Sequence, residues 1–146
     1  MTVVTRGEEE TVRLGRRIGQ VLKPPRVVLL YGDLGSGKTA LARGIALGLG
    51  IDPKTPVTSP TFTLVNLHST ARGPLYHLDL YRIEGLRDLY SIGIEDILAG
   101  DGVVVVEWAE KLKLPLRNPV RIRIAEGVGP DERVFEIEPD LKLNAE

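Results

Sequence analysis

The sequence has 146 residues, a formal net charge of −1, 42% hydrophobic and 27% charged residues, and no cysteine. This length and composition are typical of one folded domain, which we expect to span residues 1–146, and they exclude a disordered or fibrous class. The near-zero charge argues against tight direct binding of nucleic acid, and the lack of cysteine excludes disulfides and thiolate metal sites. No apolar run approaches membrane-spanning length, and acidic residues near the N-terminus do not fit a signal peptide, so we expect no membrane segment and a cytoplasmic location.

The N-terminal segment predicts a helix that opens at a capping box. Thr5 and Glu8 have the required spacing of three residues, and the apolar residues that follow fall on one stripe of a helix. The Pro24-Pro25 pair ends this helix because proline cannot continue it.

A buried strand, a glycine loop and a second helix follow in the sequence. The run 27–31 (VVLLY) is continuously apolar and typical of a strand buried on both faces of a parallel sheet. Residues 38–49 favour a helix that Gly50 can end in a left-handed conformation. Gly44 and Gly48 weaken this helix, since glycine has a low helix propensity.

The second half of the chain alternates between predicted strands, loops and a helix. These are a proline-rich loop (53–60), a strand (61–68), an alternating strand (75–81), a helix (86–98), an apolar strand (103–106) and two hairpin strands (120–125 and 133–137). With the first half, this order predicts an α/β fold, a three-layer P-loop NTPase sandwich with a mainly parallel sheet and antiparallel edge strands.

The glycine loop matches the phosphate-binding pattern Gly-x-x-x-x-Gly-Lys-Thr, and it has the buried strand before it and the helix after it that this motif requires. Its backbone N–H groups would surround the phosphates of ATP or GTP. Lys38 would neutralise the β- and γ-phosphates, and the Thr39 hydroxyl would bind Mg²⁺. The predicted contacts in this segment are Gly32, Asp33, Leu34, Gly35, Ser36, Gly37, Lys38, Thr39 and Ala40.

Two acidic residues compete as the partner of the metal. Glu107 follows the apolar strand 103–106, at the carboxyl end where open α/β sheets bind their ligands, and it is the better candidate. Asp79 lies in the alternating strand and would contact Mg²⁺ through water or orient the attacking water; a surface carboxylate is the alternative.

Other polar and aromatic residues have both a functional and a structural interpretation. The hydroxyls of the Thr58–Thr61 segment suggest a γ-phosphate sensor, or else a polar turn. His77 is more typical of a hydrogen-bonded structural residue than of an acid or base, and Trp108 of the core or a pocket wall than of a catalyst. The arginines that could act as an arginine finger or remain solvated are Arg82, Arg117, Arg121 and Arg123.

Four segments in order resemble the TsaE family (formerly YjeE), small bacterial ATPases of tRNA threonylcarbamoyladenosine biosynthesis. They are GDLGSGKT (32–39), TSPTFTLVN (58–66), HLDLYR (77–82) and VEWAEK (106–111). Within them, Ser36 replaces the usual alanine, a change too small to disturb phosphate binding. The resemblance covers nearly the whole chain, although it is weak after Lys113.

The resemblance implies Lys38, Asp79 and Glu107 as catalytic residues and Thr39 and Glu107 as Mg²⁺ ligands. It further implies nucleotide contacts at Thr61, in a nucleotide-responsive loop, and at Trp108. Similar proteins hydrolyse ATP slowly alone and act with TsaB and TsaD, and TsaD modifies adenosine 37 of tRNAs that read ANN codons. We therefore expect ATP and Mg²⁺ as cofactors, TsaB and TsaD as partners, indirect contact with tRNA, and the role of a switch or reset factor rather than of the transferase.

A small-molecule kinase and a GTPase switch share the P-loop and are the alternatives. A kinase would usually carry an arginine-rich lid and an acceptor pocket with a general base, for which 146 residues leave little room. A GTPase would need an Asn-Lys-x-Asp segment that reads guanine, and the sequence has none. The residues alone therefore rank an ATPase switch first, a kinase second and a GTPase third.

Overall fold

The computed structural model describes residues 1–33, 37–60 and 63–145. The elements in chain order are β1 (Thr2–Arg6), α1 (Glu8–Val21), β2 (Arg26–Tyr31), α2 (Lys38–Gly48), β3 (Val65–Thr70), β4 (Gly73–Asp79), α3 (Leu86–Ser91), α4 (Ile94–Ala99), β5 (Val103–Glu107), a short 3-10 helix (Ala109–Lys111), β6 (Val120–Glu126) and β7 (Glu132–Glu138). None of the helices in these ranges is long and apolar enough to cross a membrane.

The strands form one seven-stranded sheet in the order β1-β7-β6-β2-β5-β4-β3. The four central strands, β6, β2, β5 and β4, run parallel to one another. Strand β3 lies antiparallel at one edge, and β7 and β1 add antiparallel strands at the other. This arrangement confirms the predicted α/β class with a mainly parallel sheet and antiparallel edge strands.

Helices cover both faces of the central sheet, and strand β5 shows why its sequence is apolar throughout. Val103 and Val105 join a core with α1 and α2, whereas Val104 and Val106 join a second core with α3, α4 and the 3-10 helix. Because successive side chains of a strand point to opposite faces, a strand between two helical layers must be apolar at every position. The result is the predicted three-layer sandwich.

Helices α1 and α2 come into close backbone contact at glycines. A Cβ atom on Gly19 would lie 2.3 Å from the carbonyl oxygen of Ile45, and one on Gly48 would lie 2.2 Å from that of Arg16. Gly15 and Gly44 meet in the same way one turn earlier. The helix-weakening glycines of α2 therefore allow the two backbones into contact, which sets the position of α2.

The predicted capping box is wrong. Thr5 lies in strand β1 opposite Arg133 of β7, and its hydroxyl lies 2.8 Å from that of Thr11. The helix begins instead after Gly7, whose φ of 121° is in the left-handed region that favours glycine. The capping-box pattern fails because β1 pairs with β7, a strand near the other end of the chain. The residues close to Thr5 in the sequence do not reveal this pairing.

Two other predicted elements differ in extent. The helix expected over 86–98 is divided into α3 and α4 by Gly93, whose φ is 75°. The strand expected from residue 61 begins at Val65. The terminal hairpin is confirmed as β6 and β7.

Candidate functional site

The carboxyl ends of β2, β4 and β5 lie side by side at one end of the central strands, because these strands are parallel. Asp79 and Glu107 are the last residues of β4 and β5, and they are register partners. The glycine loop follows the carboxyl end of β2, and Gly37, the N-cap residue of α2, has a φ of 107°. Open α/β sheets bind ligands at this position.

A cleft of about 720 Å³ opens at the carboxyl ends of these strands. The predicted site residues on its walls are Gly37, Lys38, Thr39, Ala40, Asp79, Glu107 and Trp108. The loop and the two acidic strand ends, which are far apart in the sequence, therefore face one space of a size suited to a small ligand.

Lys38 is held at the head of α2 and is only 5% exposed. Its Nζ donates hydrogen bonds to the carbonyl oxygens of Gly32 at 2.6 Å and Asp33 at 2.8 Å. It also lies 4.3 Å from the centroid of the Trp108 ring, a cation–π distance. Burial lowers the pKa of Lys38 below its ordinary value, while acidic neighbours, Glu107 first among them, oppose this shift.

Thr39 and Glu107 are hydrogen-bonded to each other in the wall of the cleft. The Thr39 hydroxyl donates to Glu107 at 3.1 Å from Oε1 and 3.3 Å from Oε2. Hydroxyl and carboxylate oxygens are ligands that Mg²⁺ prefers, so this pair fits the predicted metal. No group of three or more His, Asp or Glu side chains within the described ranges could hold a metal.

Asp79 is a buried residue rather than a surface carboxylate, since it is only 3% exposed. The Ser59 hydroxyl donates to its Oδ2 at 2.7 Å, and the backbone N–H of Tyr81 donates to its Oδ1 at 3.0 Å. Ser59 belongs to the proline-rich loop that the sequence suggests as a phosphate sensor. The structure therefore joins that loop directly to the carboxylate beside Glu107.

Trp108 forms part of the cleft wall and has an unusual backbone conformation. Its φ of 56° is in the left-handed region, which is uncommon for residues other than glycine. The ring lies 4.9 Å from that of Tyr81 at an angle of 50°. Of the two positions considered for Trp108, core and pocket wall, the structure has the pocket wall, and its backbone conformation has no signal in the sequence.

His77 is the hydrogen-bonded structural residue that the sequence favours. It is 1% exposed and does not line the cleft, and its Nε2 lies 2.6 Å from Oε2 of Glu107. Of the four candidate arginine fingers, Arg82, Arg117, Arg121 and Arg123, none lines the cleft. Arg121 donates to the Tyr31 hydroxyl at 2.6 Å, and Arg123 stacks on the Tyr31 ring.

Several cleft residues have no signal in the sequence. They are Gly7, Glu8 and Thr11, where β1 meets α1, and Asp131 and Arg133, beside the turn between β6 and β7. The pairing of β1 with β7 brings these two distant segments to the same wall. Only this long-range strand pairing could have identified them. The predicted contacts Leu34, Gly35, Ser36 and Thr61 lie outside the described residues.

Comparisons with known proteins agree on one family. Residues 5–134 match the family model described as threonylcarbamoyl adenosine biosynthesis protein TsaE. The chain is 43% identical over 112 residues to a Treponema pallidum protein named tRNA threonylcarbamoyladenosine biosynthesis protein TsaE, covering 77% of this chain and 81% of the relative. It is 41% identical over 139 residues to a protein of the same name from Nostoc, covering 90% and 82%. The crystal structure of YdiB from Bacillus subtilis is similar, with a TM-score of 0.70 and 36% identity over 92% of this chain and 82% of that one.

Proposed function

This chain belongs to the TsaE family of threonylcarbamoyl adenosine biosynthesis proteins, and from this membership we propose that it is a Mg²⁺-dependent ATPase serving that pathway. Its relatives are named for the biosynthesis of threonylcarbamoyladenosine in tRNA. In this proposal the chain hydrolyses ATP as a switch or reset factor and does not itself transfer the carbamoyl group.

The observation that carries this proposal is the convergence of Lys38, Thr39 and Glu107 in one cleft. A buried ammonium beside a hydroxyl–carboxylate pair at the start of a helix is the arrangement that P-loop enzymes use for nucleotide phosphates and Mg²⁺. Thr39 and Glu107 would hold the ion, which would neutralise charge on the phosphate oxygens. Lys38 would exchange its bonds with the carbonyls of Gly32 and Asp33 for bonds with phosphate oxygens.

Hydrolysis also requires a group that positions the attacking water, and we assign this role to Asp79. Its carboxylate lies at the same strand level as Glu107, and Ser59 and the Tyr81 N–H fix its orientation. A carboxylate held in this way can accept a hydrogen bond from water as it approaches the terminal phosphate. The Ser59 contact would then link the proline-rich loop to the presence of that phosphate.

The remaining cleft walls are suited to the nucleoside part of ATP. Arg133 contributes a guanidinium on the side formed by β1, α1 and β7, where Thr11 also lines the cleft but has its hydroxyl bonded to Thr5 and Gly7. The sequence lacks the Asn-Lys-x-Asp segment that reads guanine in GTPases. We therefore propose ATP rather than GTP as the nucleotide.

We propose TsaB and TsaD as partners, with tRNA contacted only through their complex and with the cytoplasm as the site of action. The net charge of −1 supports an indirect role, since a strong RNA-binding surface would usually carry excess positive charge. ATP turnover would be coupled to the state of the partner complex rather than to a small acceptor molecule.

Steady-state ATP hydrolysis by the purified chain, measured alone and with the TsaB–TsaD pair and unmodified tRNA, tests the proposal. We expect a low rate alone, stimulation by the pair, and a requirement for this chain in repeated rounds of tRNA modification. A rate that the pair does not change, together with repeated modification in the absence of this chain, would refute the switch role. Phosphate transfer to a small acceptor would instead favour a kinase.

A further inference from the structure

His77 contacts the proposed metal ligand Glu107 without reaching the cleft. Its Nε2 lies 2.6 Å from Oε2 of Glu107, and both side chains are buried, at 1% and 3% exposure. Thr39 and Glu107 line the cleft, whereas His77 does not. His77 therefore cannot touch the nucleotide directly and can influence the site only through Glu107.

The hydrogen bond between these residues determines which ring nitrogen of His77 carries a proton. An ionised carboxylate only accepts hydrogen bonds, so Nε2 must be the donor. The other nitrogen, Nδ1, is buried and has no hydrogen-bond partner among the described residues. A proton on Nδ1 would be a buried donor without an acceptor, which is unfavourable. The structure thus favours the tautomer with its proton on Nε2.

The sheet register places His77 one step before Asp79 on the same face of the sheet. Asp79 is opposite Glu107, and His77 is opposite Val105. His77 Nε2 lies 2.6 Å from Oε2 of Glu107, and the Thr39 hydroxyl lies 3.1 Å from Oε1 and 3.3 Å from Oε2. The carboxylate is therefore bound by side chains of two regular elements, β4 and α2.

We propose that His77 is a positioning residue that orients the Glu107 carboxylate for Mg²⁺. This inference rests on the proposed function, because it assigns Glu107 to the metal. Groups that hold metal ligands fix their rotamer and increase metal affinity without contacting the metal themselves. With a non-donating residue at position 77, Glu107 would keep its Thr39 contact, lose its buried anchor and present its oxygens to the ion less often.

The test compares three variants by nucleotide binding rather than by turnover. In His77→Phe a ring of similar size removes the donor, and in His77→Gln the side-chain amide can still donate from nearly the same place. His68→Phe is the matched control, since His68 lies on the neighbouring strand β3, opposite Leu75, and forms no described bond to Glu107. Binding of a fluorescent ATP analogue would be titrated at increasing Mg²⁺ and in EDTA, with thermal unfolding recorded for each variant.

We expect His77→Phe to need about 10- to 100-fold more Mg²⁺ for half-maximal enhancement of nucleotide binding. Its nucleotide affinity in EDTA should equal that of the wild type, because Lys38 and the loop are unchanged. His77→Gln should recover most of the Mg²⁺ affinity, and His68→Phe should retain all of it. A purely structural role for His77 would instead lower stability and affect binding equally with and without Mg²⁺.

Nitrogen-15 NMR of the wild-type imidazole rings gives a second result that does not depend on the folding of any variant at position 77. The chain has only two histidines, so comparison with His68→Phe assigns the His77 signals. We expect a protonated Nε2 on His77, and an unprotonated Nε2 would overturn the proposal.

The outcomes separate this inference from the proposed function. If wild-type nucleotide binding does not depend on Mg²⁺, both fail. If Glu107→Gln loses the Mg²⁺ dependence while His77→Phe and His77→Gln keep the wild-type value, Glu107 remains a metal ligand and the inference about His77 is wrong.

Discussion

Glu107 and Asp79 end adjacent parallel strands at the same register position, and each is only 3% exposed, yet different kinds of structure hold them. Glu107 is bound by Thr39 at the start of a helix and by His77 within a strand. Asp79 is bound by Ser59 of a proline-rich loop and by the backbone N–H of Tyr81. Regular elements thus fix one carboxylate, and a loop contributes to fixing the other.

This difference indicates how the two carboxylates divide the chemistry. A metal ligand benefits from a fixed position, because preorganised oxygens need no rearrangement when the ion arrives. A group that orients water can depend on a loop that responds to the terminal phosphate. The comparison therefore supports our proposal that Glu107 binds the metal and that Asp79 controls turnover.

Removing the fixed carboxylate should have the largest effect. We expect Glu107→Ala to lower kcat/KM for ATP hydrolysis by about 10³-fold, because a metal ion contributes several kcal/mol to charge stabilisation. Asp101→Ala is the control, since Asp101 is exposed in the turn before β5, at the far end of that strand. Steady-state kinetics on both variants checks this, and equal losses would mean that Glu107 has no special role.

Replacing the second carboxylate should impair turnover and spare binding. We expect Asp79→Asn to lower kcat by roughly 10²-fold, since the amide accepts a proton or positions water poorly. The Kd for MgATP should change little, because Lys38, Thr39 and Glu107 remain in place. Rapid-quench kinetics and a binding titration measure the two quantities, with Asp96→Asn on the exposed surface of α4 as the control. Loss of MgATP binding in Asp79→Asn would remove the distinction between the carboxylates.

The glycine contact between α1 and α2 helps to position Thr39, which is in α2 and donates a hydrogen bond to Glu107. We expect Gly48→Ala to lower the free energy of unfolding by about 1–3 kcal/mol, since its methyl group would collide with the Arg16 carbonyl. Gly85→Ala is the control, because a Cβ atom there meets nothing within 4 Å and its φ of −173° is extended backbone. Urea unfolding of both variants gives the comparison, and equal stability losses would contradict the packing argument.

The loop contact of Asp79 should have a smaller effect than the carboxylate itself. We expect Ser59→Ala to lower kcat up to about tenfold, which corresponds to the loss of one hydrogen bond to a charged group. Thr58→Ala is the matched control, because the neighbouring Thr58 side chain is exposed and its hydroxyl has no hydrogen bond within the described ranges. A greater loss of activity in Thr58→Ala than in Ser59→Ala would show that the loop acts through another contact.

The smallest effect concerns His68, the histidine that does not bind a carboxylate. Burial lowers the pKa of His68 below its ordinary value of 6.5. The unfolded chain therefore takes up this proton more readily, and stability present above pH 6.5 is lost as the pH falls through the folded pKa. Unfolding at pH 7 and pH 5 should show a smaller loss of stability in His68→Phe than in the wild type. An unchanged or steeper loss would contradict the direction of this shift.

The local sequence was sufficient to predict the centre of the sheet and the position of Glu107 at the end of a strand. The apolar runs of β2 and β5 indicate strands between two helical layers, but Asp79 was expected inside a strand over 75–81, whereas β4 ends at Asp79. It was not sufficient for features that depend on distant segments. The β1–β7 pairing, the glycine contacts and the cleft position of Arg133 each require residues far apart in the chain to meet.

The most direct test of the division between the two carboxylates is the binding of a non-hydrolysable ATP analogue to Glu107→Gln and Asp79→Asn, with Mg²⁺ and in EDTA. We expect Asp79→Asn to keep the Mg²⁺-dependent gain in affinity and Glu107→Gln to lose it, while both bind like the wild type in EDTA. The same Mg²⁺ dependence in the two variants, or its loss only in Asp79→Asn, would rule out this division of roles.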